Sequence, residues 1–167
     1  AEHMARRSLA SWAGVAHTET LSWLVLGSVL TSAGRHAEAL TAFDTALQLG
    51  HAQSSPLFIA EALLRRARLH TQCDRWAQAI EDLNTAEPLL AGSADPMRVS
   101  QYAWLRVRCQ IAQGLSLNRG FVEQLSAIAQ RSAHPLLHLR LAGIEAEIAL
   151  QDGNSAAAEQ AALRQAQ

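Results

Sequence analysis

The sequence predicts an all-α protein built from antiparallel helical hairpins, and two features of the pattern support this. Apolar residues recur at spacings of three and four, as in Leu26 and Leu30 and again in Leu40, Phe43 and Leu47. That spacing places them on one face of a helix. Capping residues, prolines and short turns also punctuate the chain at regular intervals, and runs that alternate apolar and polar residues, as strands do, are nearly missing.

The punctuation divides the chain into a lead helix followed by four pairs of helices. Three predicted helices begin at or near a proline, and the first two of these prolines follow a good N-capping residue: Ser55-Pro56, Asp95-Pro96 and His134-Pro135. Tight turns within the pairs are expected at Gly34-Arg35, Cys73-Asp74, Gly114-Leu115 and Asp152-Gly153. The predicted helices are a lead helix at 5–14 and the pairs 19–33/36–49, 57–72/75–90, 97–113/118–131 and 136–151/155–166.

Length and composition favour one compact domain. The chain has 167 residues, of which 49% are hydrophobic and 17% charged, so a disordered chain is not expected. We interpret residues 1–4 as a cloning remnant and residues 5–167 as a single helical-repeat domain, cut from a longer array. Its hairpins are expected near 19–50, 57–91, 97–131 and 136–166.

The charge balance gives no indication of a nucleic-acid or membrane partner. The formal net charge is −1, and all 14 basic residues are arginine, which is typical of codon bias in a GC-rich bacterial genome. No apolar run approaches the roughly 18–20 residues that a membrane span requires. Cys73 and Cys109 form no CxxC motif, so we expect a reducing compartment and a cytoplasmic location.

One stretch, WLVLGSVLTSAGRHAEALTAFDTAL at 23–47, places small residues where a helix gains nothing from them. A glycine inside a helix costs about 1 kcal/mol relative to alanine, so Gly27 indicates that a neighbouring helix approaches closely there. The stretch resembles the tetratricopeptide repeat, whose pattern is W-x2-L-G-x2-Y…A-x3-F…P. The matching residues are Trp23, Leu26, Gly27, Ala39, Phe43 and Ala46, with Leu30 at the usual tyrosine, Gly34 at the turn and His51 in place of the closing proline.

The resemblance implies a right-handed α-α superhelix, or solenoid, of about four hairpins plus the lead helix. Gly27 and Ala39 are then expected to face one another, and Phe43 to fill the gap to the next hairpin. The later repeats align at offsets of 40, 42 and 37 residues. Their expected packing residues are Ala67, Ala79 and Leu83 in the second repeat, Cys109 in the third, and Ala146 and Ala158 in the fourth.

Long, irregular repeats of this kind are similar to the sensor regions of large bacterial regulators, especially the MalT-like branch of the LuxR family. The resemblance implies a non-catalytic module that binds a protein or peptide partner, or a small effector, in its concave groove. The bound state would be relayed to adjoining modules that control transcription, and the fragment itself would not contact nucleic acid. The alternative is a structural scaffold or chaperone for a secretion or envelope assembly, and exposed repeat ends allow self-association.

The residues give no sign of an enzyme. No phosphate-binding, serine-hydrolase or zinc-protease motif is present, so we expect no catalytic residue, cofactor or metal. Four of the seven histidines fall at helix ends or loops, and His70 occupies a repeat packing position. Cys109 is expected to pack as a small hydrophobe. Trp76 and Trp104 either wedge between repeats or anchor an interface.

The resemblance also indicates where a partner would bind, because the first helix of each pair lines the groove in tetratricopeptide proteins. An arginine-bearing groove can hold a carboxylate through paired hydrogen bonds. The alternative is that these arginines are ordinary solvated residues, such as Arg65 paired with Glu61 four residues earlier. The expected groove residues are Leu24, Val25, Ser28 and Ser32, then Glu61, Leu64, Arg65, Arg68 and Gln72, then Arg106, Gln110 and Gln113, then Arg140 and Glu147.

Overall fold

The computed structural model describes residues 1–11, 16–91, 95–115, 119–131, 135–151 and 153, and across these residues every regular element is a helix. The all-α prediction is therefore confirmed for this part of the chain. The predicted helix at 155–166 and its packing residue Ala158 lie outside it. The eight helices described are α1 (Glu2–Ser11), α2 (Ala16–Ser32), α3 (His36–Ala52), α4 (Pro56–Gln72), α5 (Trp76–Leu90), α6 (Pro96–Ala112), α7 (Arg119–Arg131) and α8 (Pro135–Gln151).

Two helix starts follow directly from local sequence. Proline is tolerated in the first turn of a helix because its missing N–H would find no partner there. Before α4, the Ser55 side chain accepts a hydrogen bond from the Phe58 backbone N–H, and the helix begins at Pro56. Before α6, the Asp95 carboxylate accepts from the Met97 N–H at 2.9 Å. Both N-caps predicted from the sequence are therefore present.

Left-handed turn residues give the chain a period of 39 or 40 residues. Positive φ angles fall at Gly34, Asp74, Gly114 and Gly153, each in the turn that follows a first helix, and at Ser54 in the turn that follows α3. The starts of α4, α6 and α8 keep the same spacing. The offsets of 42 and 37 expected for the third and fourth repeats are therefore wrong. Val107, which is fully buried, corresponds to Ala67. Apolar residues recur so often in these helices that the third repeat can also be aligned with the second at a shifted position. The left-handed turn residue fixes which alignment is correct.

The chain divides into two compact units, unit 1 at 1–91 and unit 2 at 92–167. In unit 1, α2 and α3 form one hairpin, α4 and α5 form another, and α3 packs against α4. The lead helix α1 packs on α2, and α2 also lies beside α4. Among the helices described, the backbones of α3 and α5 do not pack against each other. The single solenoid expected from the sequence stays a prediction.

The close approach at Gly27 is present, but its partner differs from the expected one. A Cβ atom added to Gly27 would lie within 3.0 Å of three ring atoms of Phe43, including Cδ1 at 2.7 Å. The ring of Phe43, and not Ala39, is therefore the nearest side chain to this glycine. Phe43 belongs to a core cluster that also contains Phe58 and Ala62 of α4. Its expected role, to fill the gap to the second hairpin, stays a prediction.

Most of the predicted packing residues lie in the cores of the two units. Trp23 is partly buried against the core of unit 1, and Ala146 of unit 2 is partly exposed. The buried ones are Leu26, Gly27, Leu30, Ala39, Phe43, Ala46, Ala67, Ala79, Leu83 and Cys109.

Unit 2 is described through α6, α7 and α8, each of which packs against the other two. Its core contains Ala103, Val107 and Ile144, with Trp104 packed against them. None of the helices described is both long enough and apolar enough to cross a membrane.

Candidate functional site

The side-by-side placement of α2 and α4 creates one continuous surface on unit 1. Two contacts join these helices along their length. The rings of His17 and Phe58 meet edge to face with centroids 5.4 Å apart, and Arg65 Nη1 donates to Ser28 Oγ at 2.6 Å. We call this surface the inner face; it comprises Leu21, Val25 and Ser28 of α2 and Leu57, Glu61, Arg65, Arg68 and Gln72 of α4.

Glu61 and Arg65 form a fixed pair at the centre of the inner face. Arg65 Nε donates to Glu61 Oε1 at 2.7 Å, and its Nη1 is bound by Ser28. Both side chains are partly buried, so the guanidinium is held in one orientation. The alternative considered for Arg65, a pair with the glutamate one turn earlier, is the arrangement found.

Arg68 and Gln72 continue the same stripe of α4 toward its C-terminal end. Both are exposed, and the Arg68 guanidinium makes no ion pair with any residue that the structure describes. On the other side of the Glu61–Arg65 pair, toward the N-terminal ends of α2 and α4, lie three apolar side chains, Leu21, Val25 and Leu57, each about half exposed at 49%, 48% and 49%. The inner face thus has an apolar end and a cationic end.

Two of the expected groove residues are placed elsewhere. Leu24 and Leu64 are buried at 1% and 0% exposure, so neither lines the groove as predicted. Leu24 belongs to the core of unit 1, because α2 packs against both α1 and α3 on that side. Leu21, one turn earlier on α2, takes the exposed position instead.

Two of the groove residues predicted in unit 2, Arg140 and Arg106, make contacts within that unit, whereas Gln113 is exposed. Arg140 of α8 donates to the Met97 carbonyl at 3.0 Å and to Ser100 Oγ at 2.6 Å, which ties α8 to the first turn of α6. The Arg106 guanidinium lies over the ring of Tyr102 at 5.8 Å. Gln110 is partly buried on α6. These contacts stabilise unit 2. The candidate binding surface is therefore the one on unit 1.

Glu147 on α8, also expected in the groove, is half-buried. Burial raises the pKa of its carboxyl above the ordinary value, and Arg108 at 3.6 Å opposes that shift. The Arg108 guanidinium in turn lies 5.2 Å from the ring centroid of Trp104, so this tryptophan is covered within unit 2. Trp76 is partly buried at the first position of α5.

A second concave feature, which we call the outer cleft, opens where α3 and α5 separate above α4. Its volume is about 280 Å³. Arg66 of α4 donates to both carboxylate oxygens of Asp82 on α5 at 3.0 and 3.2 Å and to Asp44 Oδ1 on α3 at 2.5 Å. One arginine therefore joins three helices. The lining residues are Leu47, His51, Leu63, Arg66, His70, Gln78, Glu81, Asp82 and Thr85.

The sequence interpretation did not identify the Arg66–Asp82 pair. Asp82 is buried with a side-chain exposure of 5%, and Asp82 raises the pKa of Arg66 above its ordinary value. One signal was available: Asp82 falls in the apolar stripe of α5 between Ala79 and Ala86, where a charged residue needs a buried partner.

The cysteines and histidines form no larger cluster. Among the residues described, no three metal-ligating side chains gather closely enough to hold an ion. The Sγ atom of Cys73, the C-cap of α4, lies 3.2 Å from His36 Nδ1. Cys109 is buried in α6, and burial raises the pKa of its thiol to about 11.

Comparison with known proteins leaves the family open. No protein-family model matches the chain, and no curated protein is significantly similar to it. The resemblance to the tetratricopeptide repeat therefore rests on the residues of the first hairpin and stays a prediction.

Proposed function

We propose that this chain is a non-catalytic binding module of the tetratricopeptide type, and that the inner face of unit 1 holds a peptide segment of a protein partner. The observation that carries the proposal is the composite character of that face. Three half-exposed apolar side chains stand at one end, and an arginine without an ion pair among the described residues stands at the other. Such a surface suits a peptide that combines apolar side chains with a carboxylate.

The architecture of unit 1 supports a repeat protein of this type. Two hairpins follow one another with turn residues 40 positions apart, and Gly27 allows the close packing that the first hairpin requires. Contact between α2 and α4, with α3 and α5 apart, is the arrangement expected of two hairpins that curve toward the inner face. Stacked repeats with such curvature form extended concave binding surfaces.

The dimensions of the inner face favour a peptide over a small effector. Leu57 and Arg68 lie eleven residues apart on α4, which corresponds to about 16 Å along the helix. A small molecule would reach only one end of such a surface. Arg65 is already held by Glu61, so Arg68 is the residue that would receive the carboxylate of the partner.

Binding by such a module would regulate neighbouring parts of the protein. We propose a sensor role in a bacterial transcription regulator of the MalT-like kind, in which the occupied inner face changes how adjoining modules pack. This role depends on the resemblance of the first hairpin to the tetratricopeptide repeat.

Peptide selection on the immobilised chain tests the proposal. We expect peptides selected from a random display library to share apolar residues and at least one Asp or Glu. Arg68→Ala should weaken their binding about tenfold or more, because charge-assisted hydrogen bonds contribute about 1.5–3 kcal/mol. Replacing Leu21 and Val25 by serine should weaken binding through the apolar end. Arg75→Ala, which removes an exposed arginine before α5, is the matched control. Equal affinity for all these variants would reject the inner face as the binding surface.

A further inference from the structure

His70 is the one buried histidine among those whose side chains the structure describes. It lies on α4 one turn beyond Arg66 and lines the outer cleft. Its Nδ1 atom is buried and has no hydrogen-bond partner among the described residues. Its Nε2 atom lies 3.9 Å from Asp82 Oδ2, beyond hydrogen-bond range.

The neutral imidazole fits this environment because it does not compete with Arg66 for the Asp82 carboxylate. The charged groups near His70 come from each helix around the cleft, and they are Arg66 on α4, Asp82 and Glu81 on α5, Asp44 on α3 and Arg75 at the start of α5. His51 of α3 lines the same cleft. An imidazolium would have to share the Asp82 carboxylate with the guanidinium that already holds it at both oxygens.

We propose that the outer cleft contains a pH-sensitive contact between α4 and α5. Protonation of His70 draws Asp82 away from Arg66 and so weakens the ion pair that holds the two helices together. A shift of about 1 Å would bring the Nε2–H of the imidazolium into hydrogen-bond range of Asp82. The Nδ1–H would remain buried without an acceptor, so the protonated state is the less stable one.

The direction of the pKa shift agrees with this geometry. Burial lowers the pKa of His70 below its ordinary value; Asp82 and Asp44 oppose the shift, whereas Arg66 and Arg75 reinforce it. The unfolded chain therefore binds the proton more readily than the folded one. The stability that neutral His70 provides is complete above about pH 6.5 and is lost as the pH falls from there through the lowered pKa of the folded state.

Nuclear magnetic resonance of the whole chain tests the proposal directly. We expect the His70 ring to titrate at lower pH in the folded chain than in the urea-unfolded chain. The Nε–H signal of Arg66 should shift along the same titration curve, since Asp82 changes partner. In Asp82→Asn the His70 midpoint should fall further, because the carboxylate that favours the imidazolium is gone. A folded His70 that titrates at or above the unfolded value, or an Arg66 signal that does not follow it, would overturn the proposal.

Urea denaturation gives a second readout. Acidification from pH 7.5 to 5.0 should lower the urea midpoint of the wild type more than that of His70→Gln. Each unit by which the folded-state pKa of His70 is lowered raises the unfolding equilibrium constant at low pH by about tenfold. His51→Gln changes an exposed histidine of the same cleft and should keep the wild-type response. An unchanged pH dependence in His70→Gln would also overturn the proposal.

Discussion

Gly27→Ala should destabilise unit 1 even though alanine is the better helix former. The substitution adds one methyl group to the middle of α2, at a point where the Phe43 ring already lies against the backbone. The new Cβ would meet Cδ1 at 2.7 Å, whereas ordinary contacts begin near 3.4 Å. Phe43 is 2% exposed and cannot swing into solvent, so the helices must separate or the ring must leave its rotamer.

The net effect follows from two opposing quantities. The gain in helix propensity is about 1 kcal/mol, and overpacking of a filled core costs about 1–3 kcal/mol. The Cβ atom added at Gly27 would lie closer to the Phe43 ring than Cβ atoms lie to their neighbours in real proteins. The overpacking cost is therefore expected at the upper end of that range. We therefore expect a loss of about 1–2 kcal/mol for Gly27→Ala and more for Gly27→Leu.

Urea denaturation followed by far-UV circular dichroism measures this loss, and amide exchange in α2 and α3 reports on unit 1 by itself. Combining Gly27→Ala with Phe43→Leu should cost less than the sum of the single changes, by about 0.5–3 kcal/mol, since the smaller side chain makes room. Thr41→Ala, at an exposed position of α3, is the control and should change stability by less than about 0.5 kcal/mol. A Gly27→Ala variant as stable as the wild type would refute the packing argument.

Three further outcomes test other parts of the structure. Gly34→Ala should cost about 1 kcal/mol in thermal or urea unfolding, because its φ of +73° is unfavourable for any residue with a Cβ. Asp82→Asn should cost about 2 kcal/mol at pH 7, because the amide cannot replace the carboxylate that Arg66 binds. A chromogenic disulfide reagent should label partly exposed Cys73 in the native chain, but Cys109 only after unfolding, since Cys109 is buried and its thiol has a pKa of about 11.

The boundaries of α4 and α6 could be predicted closely because their signals are local, whereas α1 and α2 each begin three residues before the expected start. The helix expected at 57–72 begins at Pro56 and ends at Gln72, and the one expected at 97–113 spans Pro96–Ala112. In each case a capping side chain and a proline stand together, and a left-handed turn residue follows the helix. None of these features depends on which other helix lies nearby.

The direction in which side chains point was predicted less well. Leu24 and Leu64 were expected on the groove, yet both are buried. Each lies on a helix that packs against three others, α2 against α1, α3 and α4, and α4 against α2, α3 and α5. The apolar stripe of such a helix is wide, and an error of one residue turns the expected face by about 100°.

The outer cleft could not be predicted from the chain order. Asp44 and Asp82 lie 22 and 16 residues from Arg66 in the sequence, and the three meet only because their helices pack together. The sequence contains one indication, the Asp82 carboxylate inside the apolar stripe of α5, but it does not indicate that Arg66 is the residue that pairs with it. Long-range charge pairing of this kind depends on tertiary packing.

The most direct test of the proposed function is a resonance-shift map of the nitrogen-15-labelled chain titrated with a selected peptide. The account predicts that the largest shifts fall on the inner face, at Leu21, Val25, Leu57 and Arg68. Shifts concentrated on α3 and α5, or a selection that yields no binding peptide, would contradict it.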